Sequence, residues 1–372
     1  MVECHPRSLT GTDAVTYAAI TGWGKCLPPA TLTNDDLATF LDTNDEWITS
    51  RTGIRERRIT HVSLEELSYV SSMRALAAAG LDPGAVELIV FGTCSFDDQV
   101  PNQASGLQVR LGAKRAASMD VNTACTSFLY ALSTANALIR NGVVRNALVI
   151  GGERITSFLD WRNRGVCVLF GDGCASVVLE ATEREEGVLA ERLGCDSDAR
   201  DTLVVEGMGG RYTNIGRFNG DTVWIFEGQE IFKRAVIGMS GACADVLASR
   251  HLTPEDVSLV IPHQANLRII DAVAKRAGVS MERVFVNVQR YGNMSAATVP
   301  VALVEALEEG RVHAGDLLLM PAFGAGLTWC AHLVRWGERV TPKQTSDVEL
   351  PPCEKTALEL VQELIRAKRH EA

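Results

Sequence analysis

Three residues in this sequence could together supply a nucleophile and two hydrogen-bond donors. The first, Cys125, lies in DVNTACTSFLYAL, where a β-branched run meets a turn and Thr126 and Ser127 can start a helix. The dipole and unpaired amides of a helix N-terminus stabilise a thiolate, the form that attacks thioesters. The pattern therefore indicates a nucleophile, although most cysteines in such a chain are small core residues.

The other two candidates, His263 and Asn293, follow apolar runs farther along the chain. His263 comes directly after the strand-like run of LVIPHQANLRII, and Asn293 follows Gly292 in RYGNMSAATVP. An imidazole and a carboxamide can both donate hydrogen bonds to a developing negative charge, and a carboxamide cannot act as a base. Each also has a structural interpretation, because histidines after strands are often structural and Asn293 could cap a helix.

All three residues fall in corresponding loops of an internal repeat. The segment LDPGAVELIVFGTC at 81–94 is echoed by LTPEDVSLVIPHQA at 252–265. Each copy is followed by a strand-like run, a polar turn and a helix rich in small residues. Continuous apolar strands that alternate with helices predict mostly parallel sheets covered on both faces. Equivalent turns of two such halves would converge on one site between them.

The repeat predicts two similar α/β halves, at about 14–185 and 186–337, that face each other. The chain length of 372 residues agrees with this division, since single cores usually stop growing at roughly 250 to 300 residues. The rest of the chain, 338–372, begins with a polar linker that contains prolines. Its end predicts an amphipathic helix that docks on its own protein or on a partner, with one apolar stripe made of Ala357, Leu358, Val361, Leu364 and Ile365.

Composition and missing motifs exclude several classes of protein. The formal net charge of -10 argues against a nucleic-acid partner, and no apolar stretch approaches the ~20 residues that span a membrane. Without a signal peptide, we expect a cytoplasmic protein with reduced thiols. The ten cysteines form no CxxC pair, and HExxH, GxGxxG and GxSxG are all missing. We therefore expect no metal site and no permanently bound cofactor.

Six ordered segments carry a resemblance to a known family. They are DTNDEWITSRTGIRERRI, DVNTACTSFLYAL, LFGDGCASVVL, VIPHQANLRII, RYGNMSAATVPVAL and AFGAGLTW. On these segments the chain resembles the β-ketoacyl-acyl carrier protein synthase III family of the thiolase superfamily, from about residue 16 to Trp336. The resemblance implies a duplicated α-β-α-β-α layered fold with two mixed, mostly parallel sheets.

The resemblance also implies a reaction, a decarboxylative condensation that initiates fatty acid synthesis. Cys125 would be acylated by an acyl-CoA and would then receive malonyl-acyl carrier protein, so that both thioesters are substrates. His263 and Asn293 would hold the enolate, and the backbone amides of Cys125 and Ala325 would hold the oxyanion. The alternatives are a secondary-metabolite ketosynthase or an acyltransferase on the same scaffold, and a catalytically silent partner of another ketosynthase.

Binding roles implied by the resemblance fall on three groups of residues. A tryptophan and two arginines suit a nucleotide by stacking and charge, and a basic helix face suits an acidic carrier protein. The tryptophan could instead anchor a helix, and the basic face could simply be solvated. The CoA contacts would be Trp47, Arg51, Arg164 and Asn266; the carrier-protein patch Arg268, Lys275 and Arg276; and the acyl pocket Val100 and Phe323.

The sequence departs from the family pattern around the nucleophile and the acyl pocket. Thr126 and Ser127 stand where the commoner form has small residues ending in glycine, and their hydroxyls would alter the pocket mouth. Val100 precedes Pro101 at a position where, in the family, a bulky aromatic reaches across a homodimer and closes the partner's acyl pocket. Valine leaves more room, which predicts primers longer than acetyl, of medium length or branched. The family implies no role for the extension after Trp336.

Overall fold

The computed structural model describes residues 16–212 and 222–370, so the expected start of the first half at residue 14 and the last two residues of the tail lie outside it. The strands are β1 (Tyr17–Cys26), β2 (Thr31–Thr33), β3 (Glu56–Arg58), β4 (Leu88–Gly92), β5 (Ala117–Val121), β6 (Asn146–Glu153), β7 (Gly173–Thr182), β8 (Gly187–Cys195), β9 (Leu203–Glu206), β10 (Val223–Phe226), β11 (Leu259–Val260), β12 (Leu317–Gly324) and β13 (Thr328–Arg335). The α-helices are α1 (Asn34–Ala38), α2 (Asp45–Thr52), α3 (Leu64–Ala79), α4 (Gln103–Leu111), α5 (Ser127–Arg140), α6 (Arg164–Cys167), α7 (Gly228–Ser249), α8 (Leu267–Arg276), α9 (Val288–Tyr291), α10 (Thr298–Glu308) and α11 (Ala357–His370).

Two half-sheets join into a single mixed sheet. Its nine strands follow the order β11-β12-β13-β8-β1-β7-β6-β4-β5. The halves meet where β1 runs parallel to β8, at the pair Ala18 and Gly187. Strand β4 is parallel to β5 and β6, and β11 is parallel to β12, whereas β7 and β13 run antiparallel to both of their neighbours. The predicted α/β class is confirmed, with more antiparallel pairing than the apolar runs indicated.

The two halves repeat one order of elements. In the first half β1, α3, β4, β5, α5, β6 and β7 follow one another, and in the second β8, α7, β11, a short bridge at Val284, α10, β12 and β13 take the same places. The expected division between residues 185 and 186 lies in the turn that joins β7 to β8. The repeat therefore brings the loops after β5 and β11, and the loop before α10, to equivalent strand ends.

Helices α5 and α10 form the buried middle layer that fixes these loops. Phe128 and Leu132 of α5 pack in one apolar cluster with Val301 and Leu303 of α10 and with side chains of β1, β4, β6, β7 and β12. Helix α3 covers β1 and β7, and α7 covers β8, β12 and β13. Because close-packed interiors shift little, the first residues of α5 and α10 are held firmly in place.

The chain end docks on its own protein, which is the first of the two expected outcomes. Ala357, Leu360 and Val361 of α11 are buried in the cluster that also contains Leu32. The preceding linker follows α3, where Glu349 pairs with Arg74 at 2.6 Å. None of the helices in the part of the chain that the structure describes is both long and apolar enough to cross a membrane.

Candidate active site

Cys125 lies in a tight turn between β5 and α5, as the sequence pattern predicts. A short 3₁₀ turn, Ala124–Thr126, leads directly into the helix. Ala124 has a φ of 52°, in the left-handed region that non-glycine residues rarely adopt. The end of β12 approaches the turn so closely that a Cβ on Gly324 would lie 2.8 Å from the backbone nitrogen of Cys125. Only glycine fits there, and it lets the two backbones meet beside the thiol.

The hydroxyls that follow the nucleophile stabilise the turn and do not alter the pocket mouth, so that expectation was wrong. Thr126 is buried, and its hydroxyl donates to the carbonyl of Thr123 at 2.7 Å and lies 2.8 Å from the hydroxyl of Thr328. The Ser127 hydroxyl donates to the carbonyl of Ala124 at 2.6 Å. Both hydroxyls form local hydrogen bonds because the turn directs their side chains inward.

His263 follows β11 and is held by both its backbone and its ring. The backbone N–H donates to the carbonyl of Pro321 at 2.9 Å, and Nδ1 lies 2.6 Å from the hydroxyl of Thr298. The side chain is only 3% exposed, and this burial lowers the pKa of His263 to about 3. The imidazole is therefore neutral at physiological pH and can exchange a proton at Nε2.

Asn293 is oriented by three backbone hydrogen bonds. Its N–H donates to the carbonyl of Leu169 at 2.8 Å, and its carbonyl accepts from the N–H of Gly171 at 3.1 Å. The side-chain oxygen accepts from the N–H of Ser295 at 2.7 Å. Because the amide oxygen is occupied, the NH₂ group is the part of this side chain left to act on a ligand, and it can only donate.

A cavity of about 760 Å³ brings the three candidate residues together. Cys125, His263 and Asn293 all line it. Five further residues singled out from the sequence lie on the same wall: Trp47, Arg51, Asn266, Arg268 and Phe323. The predicted convergence of the two halves on one site is thus observed. Eight of the candidate residues line this one cavity.

The mouth of this cavity is framed by helices α2, α6 and α8. The guanidinium of Arg51 lies 4.6 Å, and that of Arg164 5.2 Å, from the centre of the Trp47 ring, at distances typical of cation–π contacts. Asn266 caps α8 by accepting from the N–H of Arg268 at 2.8 Å, and it donates to the carbonyl of Arg51 at 3.1 Å. All three residues of the expected basic patch are exposed: Arg268 at the edge of the cavity, and Lys275 and Arg276 on the last turn of α8.

A second cavity, of about 500 Å³, also reaches Cys125. Ala325, the other expected oxyanion amide, lines this space. Most of its remaining wall is apolar and includes Ile155, Phe158, Val205, Met208 and Trp224. Of the two residues expected in the acyl pocket, Phe323 lines the first cavity, and Val100 is 89% exposed and lines neither within one chain.

The thiol of Cys125 is more basic than a helix N-terminus alone would make it. Burial raises the pKa of Cys125 to about 12; a hydrogen bond with Ser295 opposes this, and the negative charge of Glu153 adds to it. The expectation of a stabilised thiolate therefore does not hold. The sulfur must lose its proton as it attacks, and a base is needed nearby.

Three residues of the site were not found from the sequence. Glu153, Ser295 and Thr298 hydrogen-bond to the candidate residues or to one another. The only available signals were the two hydroxyl residues that follow Asn293 at short spacing and a carboxylate at the end of the apolar run NALVIGGE. Neither signal predicts a contact across the two halves.

Comparison with known proteins identifies the family. Two protein-family models match this chain. The model of 3-oxoacyl-[acyl-carrier-protein] synthase III matches residues 119–197, and the model of the C-terminal part of the same enzyme matches residues 247–336. A β-ketoacyl-[acyl-carrier-protein] synthase III 2 of Vibrio cholerae is 52% identical over 360 residues, which are 96% of this chain and 99% of that protein. This chain belongs to the β-ketoacyl-acyl carrier protein synthase III family. The predicted family and its class of acyl-transferring condensing enzyme are therefore confirmed.

Two further relatives of the synthase III family define the extent of the likeness. The protein of Roseiflexus castenholzii is 45% identical over 326 residues, covering 86% of this chain and 98% of its own length. The crystal structure of the synthase III of Aquifex aeolicus superposes with a TM-score of 0.81 at 42% identity and covers 86% of this chain and all of its own. The thiolase-like fold is confirmed, and initiation of fatty acid synthesis is favoured over the secondary-metabolite alternative.

These synthase III relatives differ in how much of this chain they cover. The match to the Vibrio cholerae protein covers 96% of the chain and so includes part of the segment 338–372. The Roseiflexus castenholzii protein, aligned over 98% of its length, covers only 86% of the chain. At least part of the segment 338–372 is therefore shared with the Vibrio cholerae protein.

Proposed function

We propose that this chain joins the acyl group of an acyl-CoA to malonyl-acyl carrier protein with loss of carbon dioxide, the step that begins fatty acid synthesis. The observation that carries the proposal is the single cavity whose wall holds Cys125, His263 and Asn293. These side chains supply the nucleophile, the proton acceptor and the hydrogen-bond donor that the reaction requires.

Cys125 acts first, as the nucleophile of the acylation half-reaction. Because its thiol has a pKa of about 12, the proton leaves as the sulfur attacks the acyl-CoA carbonyl. The neutral imidazole of His263, whose pKa is about 3, lines the same cavity and takes this proton. A bond forms between the Cys125 sulfur and the acyl carbon, the bond to the CoA sulfur breaks, and the proton passes to the released CoA.

His263 and Asn293 act in the second half-reaction, on the malonyl thioester. Loss of carbon dioxide leaves its bonding electron pair on the thioester as an enolate. The NH₂ of Asn293 and an N–H at Nε2 of His263, both on buried residues, donate hydrogen bonds to the enolate oxygen. The enolate carbon then attacks the acyl group on Cys125, a carbon–carbon bond forms, and the bond to the Cys125 sulfur breaks. The sulfur leaves as a thiolate and takes a proton from solvent.

The oxyanion formed during each attack on the thioester is held by the backbone amides of Cys125 and Ala325. The close approach of β12 to the nucleophile turn, which Gly324 permits, supports this role. Both amide-bearing residues line the second cavity, where the bound acyl group would lie. Preformed amides need no reorganisation as the charge develops, so they stabilise the transition state effectively.

The two carriers would bind at the mouth of the first cavity. The nucleobase of CoA would stack on Trp47, and the arginines beside it would meet the phosphates, since guanidinium groups match phosphate geometry. Asn266 would contact the pantetheine arm, which has to pass it to reach Cys125. The acidic carrier protein would dock on the exposed basic residues of α8, which are Arg268, Lys275 and Arg276.

The primer would be longer than acetyl, of medium length or branched. An apolar cavity of about 500 Å³ beside Cys125 supports this, because it gives an alkyl chain a place away from water. In the homodimer that we propose, Val100 of each subunit, which is 89% exposed in one chain, would close the acyl pocket of its partner and leave more room than an aromatic side chain.

A panel of acyl-CoA primers with malonyl-acyl carrier protein tests the reaction and the primer together. Carbon dioxide release and product mass would be followed for acetyl-, isobutyryl-, hexanoyl- and octanoyl-CoA, with the intact mass of the acyl-enzyme. We expect condensation, with the longer or branched primers preferred. A strong preference for acetyl-CoA would overturn the primer assignment alone, and no condensation with any primer would overturn the function.

Three variants separate the half-reactions. We expect Cys125→Ala to form no acyl-enzyme and His263→Ala to slow both half-reactions, whereas Asn293→Ala should form an acyl-enzyme but release little carbon dioxide from malonyl-acyl carrier protein. Loss of one hydrogen-bond donor to an oxyanion typically costs about 10²- to 10³-fold in rate. Normal carbon dioxide release by Asn293→Ala would contradict the role of that side chain.

A further inference from the structure

Glu153 is a fully buried carboxylate that the reaction as described does not use. It ends β6, is 0% exposed, and forms no ion pair with any residue in the described ranges 16–212 and 222–370. Burial raises the pKa of Glu153, and hydrogen bonds from Ser95, Ser295 and Cys94 counteract this rise. Burying a carboxylate without a paired cation costs free energy unless hydrogen bonds replace those lost to water. The hydrogen-bond partners of Glu153 therefore decide what this residue does.

The hydrogen bonds of Glu153 come from both halves of the protein. The first set comes from the loop after β4 and the second from the turn before α10. The donors are the hydroxyls of Thr93 (3.1 Å) and Ser95, the N–H of Cys94 (3.2 Å) and its thiol (3.3 Å), the hydroxyl of Ser295 (2.9 Å) and the N–H of Ala296 (3.3 Å). The carboxylate therefore ties the turn before α10 to the opposite half.

Ser295 connects this carboxylate to two of the catalytic residues. Its φ of 47° lies in the left-handed region, which is unfavourable for serine. In this conformation its N–H donates to the side-chain oxygen of Asn293 at 2.7 Å, and its carbonyl accepts from the hydroxyl of Thr298 at 3.0 Å. That hydroxyl lies 2.6 Å from Nδ1 of His263. The backbone of one strained residue thus orients both enolate donors.

We propose that Glu153 is a positioning residue for the condensation: by binding the Ser295 hydroxyl and the Ala296 N–H, it holds the left-handed turn that directs Asn293 and His263 at the enolate oxygen. Glu153 itself touches neither substrate nor the reacting atoms. The inference rests on the proposed function: Asn293 acts only in the decarboxylation half-reaction, so Glu153 should matter more there than in the acylation of Cys125, in which only His263 takes part.

Glu153→Gln tests this role, because it keeps the shape of the side chain but replaces one acceptor oxygen with a donor. Two rates would be measured separately: acylation of Cys125 by acyl-CoA, from intact mass, and carbon dioxide release from malonyl-acyl carrier protein. We expect carbon dioxide release to fall by about 10²-fold, since displacing a catalytic group by about 1 Å can cost that much. Acylation should fall much less, because Asn293 takes no part in it, and Glu153→Asp, which keeps the charge, should recover part of the lost carbon dioxide release.

His332→Gln is the matched control, since His332 is equally buried and bonds to Ser133 outside the site. It should lower thermal stability without separating the two rates. If Glu153→Gln slows both half-reactions equally, or neither, the positioning role is wrong. If Glu153→Gln does not fold, the two rates of Glu153→Asp decide, and an equal loss in both overturns the proposal. Failure of the wild-type protein to form an acyl-enzyme would instead count against the proposed function.

Discussion

The hydroxyl oxygen of Thr298 lies 2.6 Å from Nδ1 of His263 and 3.0 Å from the carbonyl oxygen of Ser295. The hydroxyl has one hydrogen, so it can donate to only one of these two acceptors at a time. When it donates to Nδ1, Nε2 carries the proton and can bind an enolate oxygen. When it donates to Ser295, Nδ1 carries the proton, and Nε2 can accept the proton of Cys125. Rotation of one hydroxyl thus suits His263 to both half-reactions of the proposed condensation.

Replacing Thr298 with valine should impair this arrangement at nearly constant volume. With no hydroxyl partner, Nδ1 of His263 is left unpaired in a buried site, and the ring loses its orientation. We expect the condensation kcat to fall by about 10²-fold, in the range that positioned acid–base groups typically contribute. Thr298→Ser keeps the hydroxyl and should retain most of the activity. Equal kcat values for the valine and serine variants, measured as carbon dioxide release, would contradict the role of the hydroxyl.

Substitution of Trp47 should affect the CoA substrate and leave the carrier-protein substrate nearly unchanged. Trp47→Ala removes the surface on which a nucleobase would stack, and an aromatic stacking contact contributes about 1 kcal/mol or somewhat more. We therefore expect KM for acyl-CoA to rise about tenfold. The pantetheine arm of a carrier protein has no nucleobase, so KM for malonyl-acyl carrier protein should hardly change. Trp47→Phe is the control that keeps a stacking face, and a parallel rise of both KM values would exclude the assignment.

The size of the residue at position 100 should set the longest primer. Val100→Phe would fill part of the partner's acyl pocket in the proposed homodimer and should shift the preference toward acetyl-CoA, measured as relative kcat/KM across the primer panel. Val143→Phe is a suitable control because Val143 is also exposed, at 66%, but lines neither cavity. An unchanged primer preference in Val100→Phe would show that this position does not reach the pocket.

The sequence could predict where the candidate catalytic residues meet but not how they are held. The loops of Cys125, His263 and Asn293 converge because the repeat places them at equivalent strand ends, and a repeat is visible in one sequence. The bond between Glu153 and Ser295 joins residues 142 positions apart, and no local pattern encodes such a pair. The side chains of Thr126 and Ser127 turn inward because of the local turn geometry, which residue types alone do not fix. The direction of the strands could not be predicted either, because an apolar run looks the same in a strand that is parallel to its neighbour and in one that is antiparallel.

The docked tail should contribute to the stability of the whole protein. Val361 is 0% exposed, and Val361→Ala should lower the free energy of unfolding by about 1 to 3 kcal/mol, because deleting buried methyl groups leaves a cavity. The neighbouring Gln362 is exposed, and Gln362→Ala should change stability by less than about 0.5 kcal/mol. Denaturant unfolding followed by tryptophan fluorescence would measure both. Identical unfolding curves for Val361→Ala and the wild-type protein would show that α11 opens independently of the core.

Two buried imidazoles should make the fold sensitive to acid. Burial lowers the pKa of both His263 and His332 from 6.5 to about 3, although Glu191 lies 3.6 Å from Nε2 of His332. The unfolded chain therefore binds more protons than the folded one between these values, so stability is complete above pH 6.5 and is lost as pH falls toward 3. At pH 5 each histidine should cost about 2 kcal/mol, given 1.36 kcal/mol per pKa unit.

His332→Gln should remove one of these two contributions while keeping a group that can bond to the Ser133 hydroxyl. The free energy of unfolding would be measured in denaturant at pH 7 and pH 5. We expect the loss between the two pH values to be smaller in the variant than in the wild-type protein by about 2 kcal/mol. His251→Asn is the control: His251 is exposed, and asparagine tolerates its left-handed φ of 57°, so its pH dependence should match the wild type. If His332→Gln loses as much stability as the wild-type protein between pH 7 and pH 5, the buried ring is already protonated in the folded state or is reached by water.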